Sequence, residues 1–148
     1  MTVSNRSCPP GPVVPVLRYA DVPAAVDWLC ATFGFTEKLH AGRDHAVLLV
    51  GAGSVMLSRF RSGRGVHAGP ADAEEAPHYT FVPVEDVDAH YDRVRRVVPD
   101  ADPPEEFPYG ERQYSVRDPV GHTWVFSQSV DDVDPADWGA VEPGRAER

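Results

Sequence analysis

Two stretches of this chain repeat one another. Ala20-Asp-Val-Pro-Ala24 and Glu85-Asp-Val-Asp-Ala89 each follow a Val-rich segment, and each opens an apolar stripe at helical spacing. In the first copy Asp21 is placed to cap a helix with Pro23 in its opening turn, Val22, Val26, Leu29 and Phe33 form the stripe, and Gly34 stops it. In the second copy Asp86 is the cap and Val87, Tyr91, Val94 and Val98 are the stripe. A unit this short cannot bury its apolar face alone, so the repeat predicts two similar modules folded together. They are expected at about residues 13–60 and 78–128, with a Gly-, Ala- and acid-rich linker over 61–77, a flexible arm over 1–12 and an acidic tail over 129–148.

Strand signals surround both helices. Val13 to Tyr19 reads as a strand in which Pro15 implies an edge or a bulge. Phe35 to Leu39, His45 to Val50 and Ser54 to Ser58 follow. Gly51-Ala-Gly53 could cradle a phosphate only if a helix came next; a strand comes next, so a hairpin turn is expected. Tyr79 to Val84 opens the second module. Pro99 to Pro108 holds four prolines and reads as a loop, a candidate lid. The chain then alternates through Arg112 to Arg117, turns at Asp118-Pro-Val-Gly121, and alternates again through Thr123 to Ser127. Tyr114, Val116, Trp124 and Phe126 fall on one face, expected to pack against helix. Gln113, Ser115, Arg117, Thr123, Val125 and Ser127 fall on the other.

Charge narrows the function. A formal net charge of −9 over 148 residues, without a Lys/Arg-rich run, argues against nucleic acid and anionic membrane partners. Arg93, Arg95 and Arg96 read as a solvated helix face. No apolar run reaches membrane-spanning length and no apolar signal core opens the chain, so a cytoplasmic protein is expected. Cys8 and Cys30 fit a reducing compartment; Cys30, on the first helix, reads as a small buried hydrophobe. Trp138, alone in the polar tail, is expected to dock on the domain.

The order of these pieces resembles the vicinal oxygen chelate superfamily, which includes glyoxalases, extradiol dioxygenases, fosfomycin-modifying enzymes and bleomycin-resistance proteins. Leu17-Arg-Tyr-Ala-Asp21 with the helix ending Thr32-Phe-Gly-Phe35 is similar to the family's first module, Tyr79 to Ala89 to the start of its second, and Tyr109-Gly-Glu-Arg112 with Asp118-Pro-Val-Gly-His-Thr-Trp124 to its closing hairpin. The resemblance implies an α+β fold of two βαβββ modules whose sheets curl openly around a cavity, and it implies frequent homodimers. Metal-using members take one His or Glu ligand from each of four cavity-facing strand positions. Here those positions fall on Val14, Met56, Tyr79 (or its neighbour His78) and Val125. Val and Met cannot serve as ordinary ligands for a divalent metal in this chemistry, so no metal and no other cofactor is expected.

Six histidines are present. His67 lies in the linker, His90 is expected on the exposed side of the second helix, and His122 is expected to face solvent after the turn. His45, His78 and Glu111 remain an alternative, unusual metal set, and His40 completes the six. By strand alternation the ligand-binding face carries Val14, Val16, Met56, Ser58, Tyr79, Phe81, Gln113, Ser115 and Val125, with Ser54, Thr123 and Ser127 beside them. Tyr109 and Arg112 join from the hairpin entrance; Arg112 and Arg117 could meet a carboxylate or phenolate, or pair with Glu105, Glu111 or Asp118 at the surface. Such a lining suits a hydrophobic or aromatic molecule held by few hydrogen bonds. The leading expectation is a metal-free binder acting by drug sequestration or self-resistance. The alternative is an enzyme of the same superfamily, an isomerase, lyase or dioxygenase-like protein, using a noncanonical metal or proton transfer by Glu111, Tyr79 or His78.

Overall fold

The computed structural model describes residues 4–59 and 78–144; the linker and His67 lie outside them. The first module runs β1 (Val16–Tyr19), α1 (Val22–Phe33), β2 (Thr36–Ala41), β3 (His45–Val50) and β4 (Gly53–Arg59). Its sheet has the order β1-β4-β3-β2, with β1 parallel to β4 and the other pairs antiparallel. Asp21 caps α1 by accepting from Ala24 N–H at 3.1 Å, and Gly34 ends it in the left-handed region at φ 82°. The predicted stripe Val22, Val26, Leu29 and Phe33 is buried throughout and packs on β2 to β4. Leu17, Leu57, Ala46 and Leu48 meet it from the sheet, each at most 1% exposed. Burying four such side chains stabilises the module by several kcal/mol, at about 25 cal/mol per Å² of apolar surface.

Pro15 lies just before β1 rather than within it, and its carbonyl accepts from Met56 N–H at 2.9 Å. The Gly51-Ala52 turn joins β3 to β4 as a hairpin, with Val50 opposite Gly53. The arm before β1 runs along the sheet: the Ser54 hydroxyl donates to the Pro10 carbonyl at 2.6 Å, and the Lys38 ammonium donates to the Arg6 carbonyl.

The second module runs β5 (Thr80–Pro83), α2 (Val87–Val94), β6 (Glu105–Phe107), β7 (Glu111–Arg117) and β8 (Thr123–Ser129), with sheet order β5-β8-β7-β6. The two modules therefore share one α+β pattern, as the repeat predicted. Asp86 caps α2 through Ala89 N–H at 3.0 Å, and Gln128 Oε1 accepts from Val87 N–H at 3.0 Å. Tyr114, Trp124 and Phe126 are buried, at 4%, 0% and 0% exposure, as expected for the helix face.

Three expectations require correction. The segment Pro99–Pro108 is not wholly loop: Glu105 to Phe107 form an edge strand on β7. Prolines flank this strand without interrupting it, and an edge tolerates that. His90 does not face solvent. Its Nδ1 lies 2.5 Å from the Tyr114 hydroxyl and its ring 4.1 Å from that of Phe126, because position 90 sits on the sheet side of a helix only eight residues long. His122 is also engaged: its Nε2 bonds to the Arg18 carbonyl at 2.7 Å and its ring lies 4.8 Å from that of Tyr19.

The turn Arg117–Thr123 belongs by its contacts to the unit built on β1 to β4, while α2, β6 and the bulk of β5, β7 and β8 form the second unit. Within the first unit the side chain of Asp118, 5% exposed, ties this turn to β1. Its Oδ1 accepts from the backbone N–H groups of Val120, Gly121 and His122 at 3.0–3.1 Å, and its Oδ2 accepts from the Tyr19 hydroxyl at 2.5 Å. Asp118 is thus a buried acceptor for these four donors. Burial first, then the nearby Asp118 carboxylate and its hydrogen bond, push the Tyr19 phenol well above its ordinary range and hold it as a donor.

Candidate functional site

Each sheet has one face covered by its helix and one face open. In the first sheet, register puts Val16, Met56, Val47 and Leu39 in a single row across all four strands, on the face opposite α1. Val16 is 46% exposed and Met56 partly so, whereas Val47 in this row and Ser58 in the next are buried. The next row holds Arg18, Ser58, His45 and Ala41, and Arg18 Nη1 donates to the Ser58 hydroxyl at 3.2 Å. Ser54 belongs to the same face but is buried, its hydroxyl committed to Pro10. Val14 lies just before β1 and is half-buried. This face is therefore apolar at its centre, with polar groups at the margin.

In the second sheet the open face carries Phe81 from β5, Val125 and Ser127 from β8, Glu111, Gln113 and Ser115 from β7, and Glu105 and Phe107 from β6. Phe81 is 45% exposed, and Tyr79, just before β5, is 60% exposed. The buried Ser127 hydroxyl donates to Glu111 Oε1 at 2.8 Å, which fixes one carboxylate on this face. Gln113 Nε2 donates to the Tyr109 hydroxyl at 3.2 Å, which brings Tyr109 to the same face. Val16, Met56 and Ser58 are thus on one open face; Phe81, Gln113, Ser115 and Val125 are on the other, with Tyr109 alongside.

Arg112 is the exception among the expected lining residues. It points to the helix side, where its guanidinium grips the Asp88 carboxylate of α2, Nη2 to Oδ1 at 2.9 Å and Nε to both oxygens at 3.2 Å. The reason is strand parity: position 112 shares a face with Tyr114 and Val116. That guanidinium lowers the Asp88 carboxyl below its ordinary value, chiefly through the hydrogen bonds. Val47, Leu39, Phe107 and Glu105 join the open faces although the sequence reading does not include them; the alternation of His45 to Val50 is the signal for Val47.

Among the described residues no group of three His, Cys, Asp or Glu side chains is placed to hold a metal ion. Val14, Met56 and Val125 carry apolar or thioether side chains, which are not ordinary ligands for a divalent cation. The Cys30 thiol is raised, first by burial and then by the charges of Glu37 and Asp27, so it is held as the unreactive thiol. Among the described residues no helix is long and apolar enough to cross a membrane.

Two βαβββ modules, each a four-stranded sheet with a helix, make up the fold. The chain belongs to the Glyoxalase/Bleomycin resistance protein/Dioxygenase superfamily, whose model matches residues 12–126. No curated protein sequence matches it. Among solved structures it is similar to TioX from Micromonospora sp. ML1, at 36% identity and TM-score 0.60 over 80% of this chain and 99% of that one. It is also similar to the bleomycin-binding protein of bleomycin-producing Streptomyces verticillus, solved with copper(II)-bleomycin, at 27% identity and TM-score 0.55 over 81% and 95%. A bleomycin resistance determinant encoded on the transposon Tn5 shares the fold at 15% identity, with a TM-score of 0.63 over 80% and 98%.

Proposed function

We propose that this protein binds a hydrophobic or aromatic small molecule without a metal, and protects its cell by sequestering that molecule. The observation that carries the reading is the row Val16, Met56, Val47 and Leu39, with Phe81 and Val125 on the second sheet. In this reading apolar side chains stand where metal-using relatives carry ligands, so binding is driven by area removed from water and aimed by Gln113 and Ser115, while Ser58 is buried against Arg18. The 27%-identical relative binds bleomycin in an organism that makes it, which supports self-resistance as the role. The protein acts in the cytoplasm as a homodimer in this reading, and light scattering checks the assembly.

Isothermal titration of the full chain against a panel of aromatic antibiotics, copper(II)-bleomycin among them, is expected to find a ligand with a Kd near or below about 1 μM. Excess chelator is expected to leave that affinity unchanged when the ligand itself carries no metal. Phe81→Asp is expected to weaken it by about tenfold or more, since a charge replaces an apolar contact. No binding across the panel, or stoichiometric metal in protein purified without chelator, would overturn the reading. Glu111, held by Ser127, favours a second reading as a metal-free acid–base enzyme. Product in the same titrated mixtures, lost in Glu111→Gln, would establish it; mixtures without product would end it.

A further inference from the structure

We propose that the segment following the family domain is part of the binding site and selects a planar, positively charged aromatic ligand. This deepens the small-molecule reading above and rests on it. The superfamily match ends at residue 126, yet the chain beyond β8 turns back onto the β6–β7 connection. The Gly110 carbonyl accepts from Val130 N–H at 2.8 Å and from Asp131 N–H at 3.2 Å. A short 3-10 helix, Pro135–Trp138, then brings the Trp138 ring edge-on to Tyr109, with centroids 5.5 Å apart at 60°. Tyr109 in turn stacks on Phe107 at 5.4 Å and 15°.

This aromatic group borders the open face of the second sheet. Phe107 pairs with Glu111, and the Tyr109 hydroxyl is held by Gln113. Three rings kept in contact by backbone anchoring, with Trp138 still 44% exposed, form a ready stacking surface at little cost in ordering. No residue of the 3-10 helix is fully buried, so the indole keeps part of its face in water.

Charge gives the ligand class. No Lys or Arg occurs between Arg117 and Arg145, while Asp131, Asp134 and Asp137 flank Trp138 in sequence, and Glu105 and Glu111 share the open face. Arg112 is on the opposite face with Asp88. Indole and phenol rings attract a cation over their π-face, and the surrounding carboxylates repel an anion of the same shape.

Proflavine, a planar tricyclic cation, and 9-anthracenecarboxylate, a planar tricyclic anion, are titrated against the full chain by calorimetry and tryptophan quenching. Wild type is expected to bind proflavine at least about tenfold more tightly than the anion, and Trp138→Ala to weaken proflavine by about tenfold. Trp138→Phe is expected to recover most of that loss. Far-ultraviolet circular dichroism of each variant is expected to match wild type, since the indole lies at the surface. Equal proflavine affinity in wild type and Trp138→Ala overturns the proposal, as does equal affinity for the two probes or no binding of proflavine. In each case an antibiotic found in the panel above leaves the broader binding reading standing, whereas an empty panel ends that reading too.

Discussion

Replacing Asp118 with Ala is expected to lower the free energy of unfolding by about 3–5 kcal/mol, the range for stripping one partner from a buried charged network. The carboxylate receives four hydrogen bonds in a site that is 5% exposed. Its removal takes this acceptor from the Tyr19 hydroxyl, on a residue 1% exposed, and from the Val120 and His122 N–H groups, while Gly121 N–H keeps the Asp118 backbone carbonyl at 3.0 Å. Asp118→Asn keeps an acceptor for the turn and a group that the Tyr19 oxygen can accept from, so it is expected to cost about 1–2 kcal/mol. Urea unfolding of the two variants checks both values; a loss below about 1 kcal/mol for Asp118→Ala would contradict the assignment. The same network predicts an alkaline limit. The Tyr19 phenol is raised in the folded state, so its contribution is fully present below the unfolded value near 10 and is lost as pH rises beyond it. Stability should fall above that pH by up to about 1.4 kcal/mol per unit for each such tyrosine. Tyr114 shares the direction, raised first by burial and then by Tyr91, so Tyr19→Phe should reduce the slope without abolishing it.

Gly110→Ala is expected to detach the C-terminal segment. Gly110 sits at φ +83°, where a β-carbon costs about 1–2 kcal/mol. An added Cβ would also meet the Asp131 carbonyl oxygen at 2.2 Å, and that neighbour is backbone, which cannot rotate aside. The strain and the loss of both anchoring bonds from Val130 and Asp131 together put the destabilisation at about 2–4 kcal/mol, concentrated in the tail. Limited proteolysis should then cleave between residues 130 and 144 well before the core, and Trp138 emission should shift to the red. Cleavage no faster than in wild type would show that the tail is held by something other than this close approach. Because Trp138 and Tyr109 meet only while the tail is docked, proflavine affinity should fall in this variant as it does in Trp138→Ala.

The local rules are legible in the amino-acid sequence itself. Asp21 and Asp86 cap the helices that the repeat predicts, Gly34 ends the first, and alternation separates Trp124 and Phe126 from Val125 correctly. Each of those features depends on residues within a few positions of one another, so spacing alone carries them. The departures have a common origin as well. Arg112 reads as a lining residue beside Gln113 and Ser115, although strand parity already sets it apart; what parity does not supply is Asp88 as its partner. His90 and His122 read as solvent-facing because polar residues are usually exposed, and no local pattern announces a phenol or a carbonyl arriving from elsewhere. The strand Glu105 to Phe107 is hidden by its flanking prolines, and only pairing with β7 reveals it.

The sequence by itself thus determined the two modules, their helices and their core faces. Tertiary structure alone decided which polar groups meet. Tyr19 and Asp118 lie 99 positions apart, and their bond exists only because the closing turn packs beside β1. Tyr109 and Trp138 likewise become one surface only when the tail returns over Gly110. Hydrogen-bond partnership and ring contact act over a few ångströms of space, and chain order does not specify them until the fold has brought the segments together.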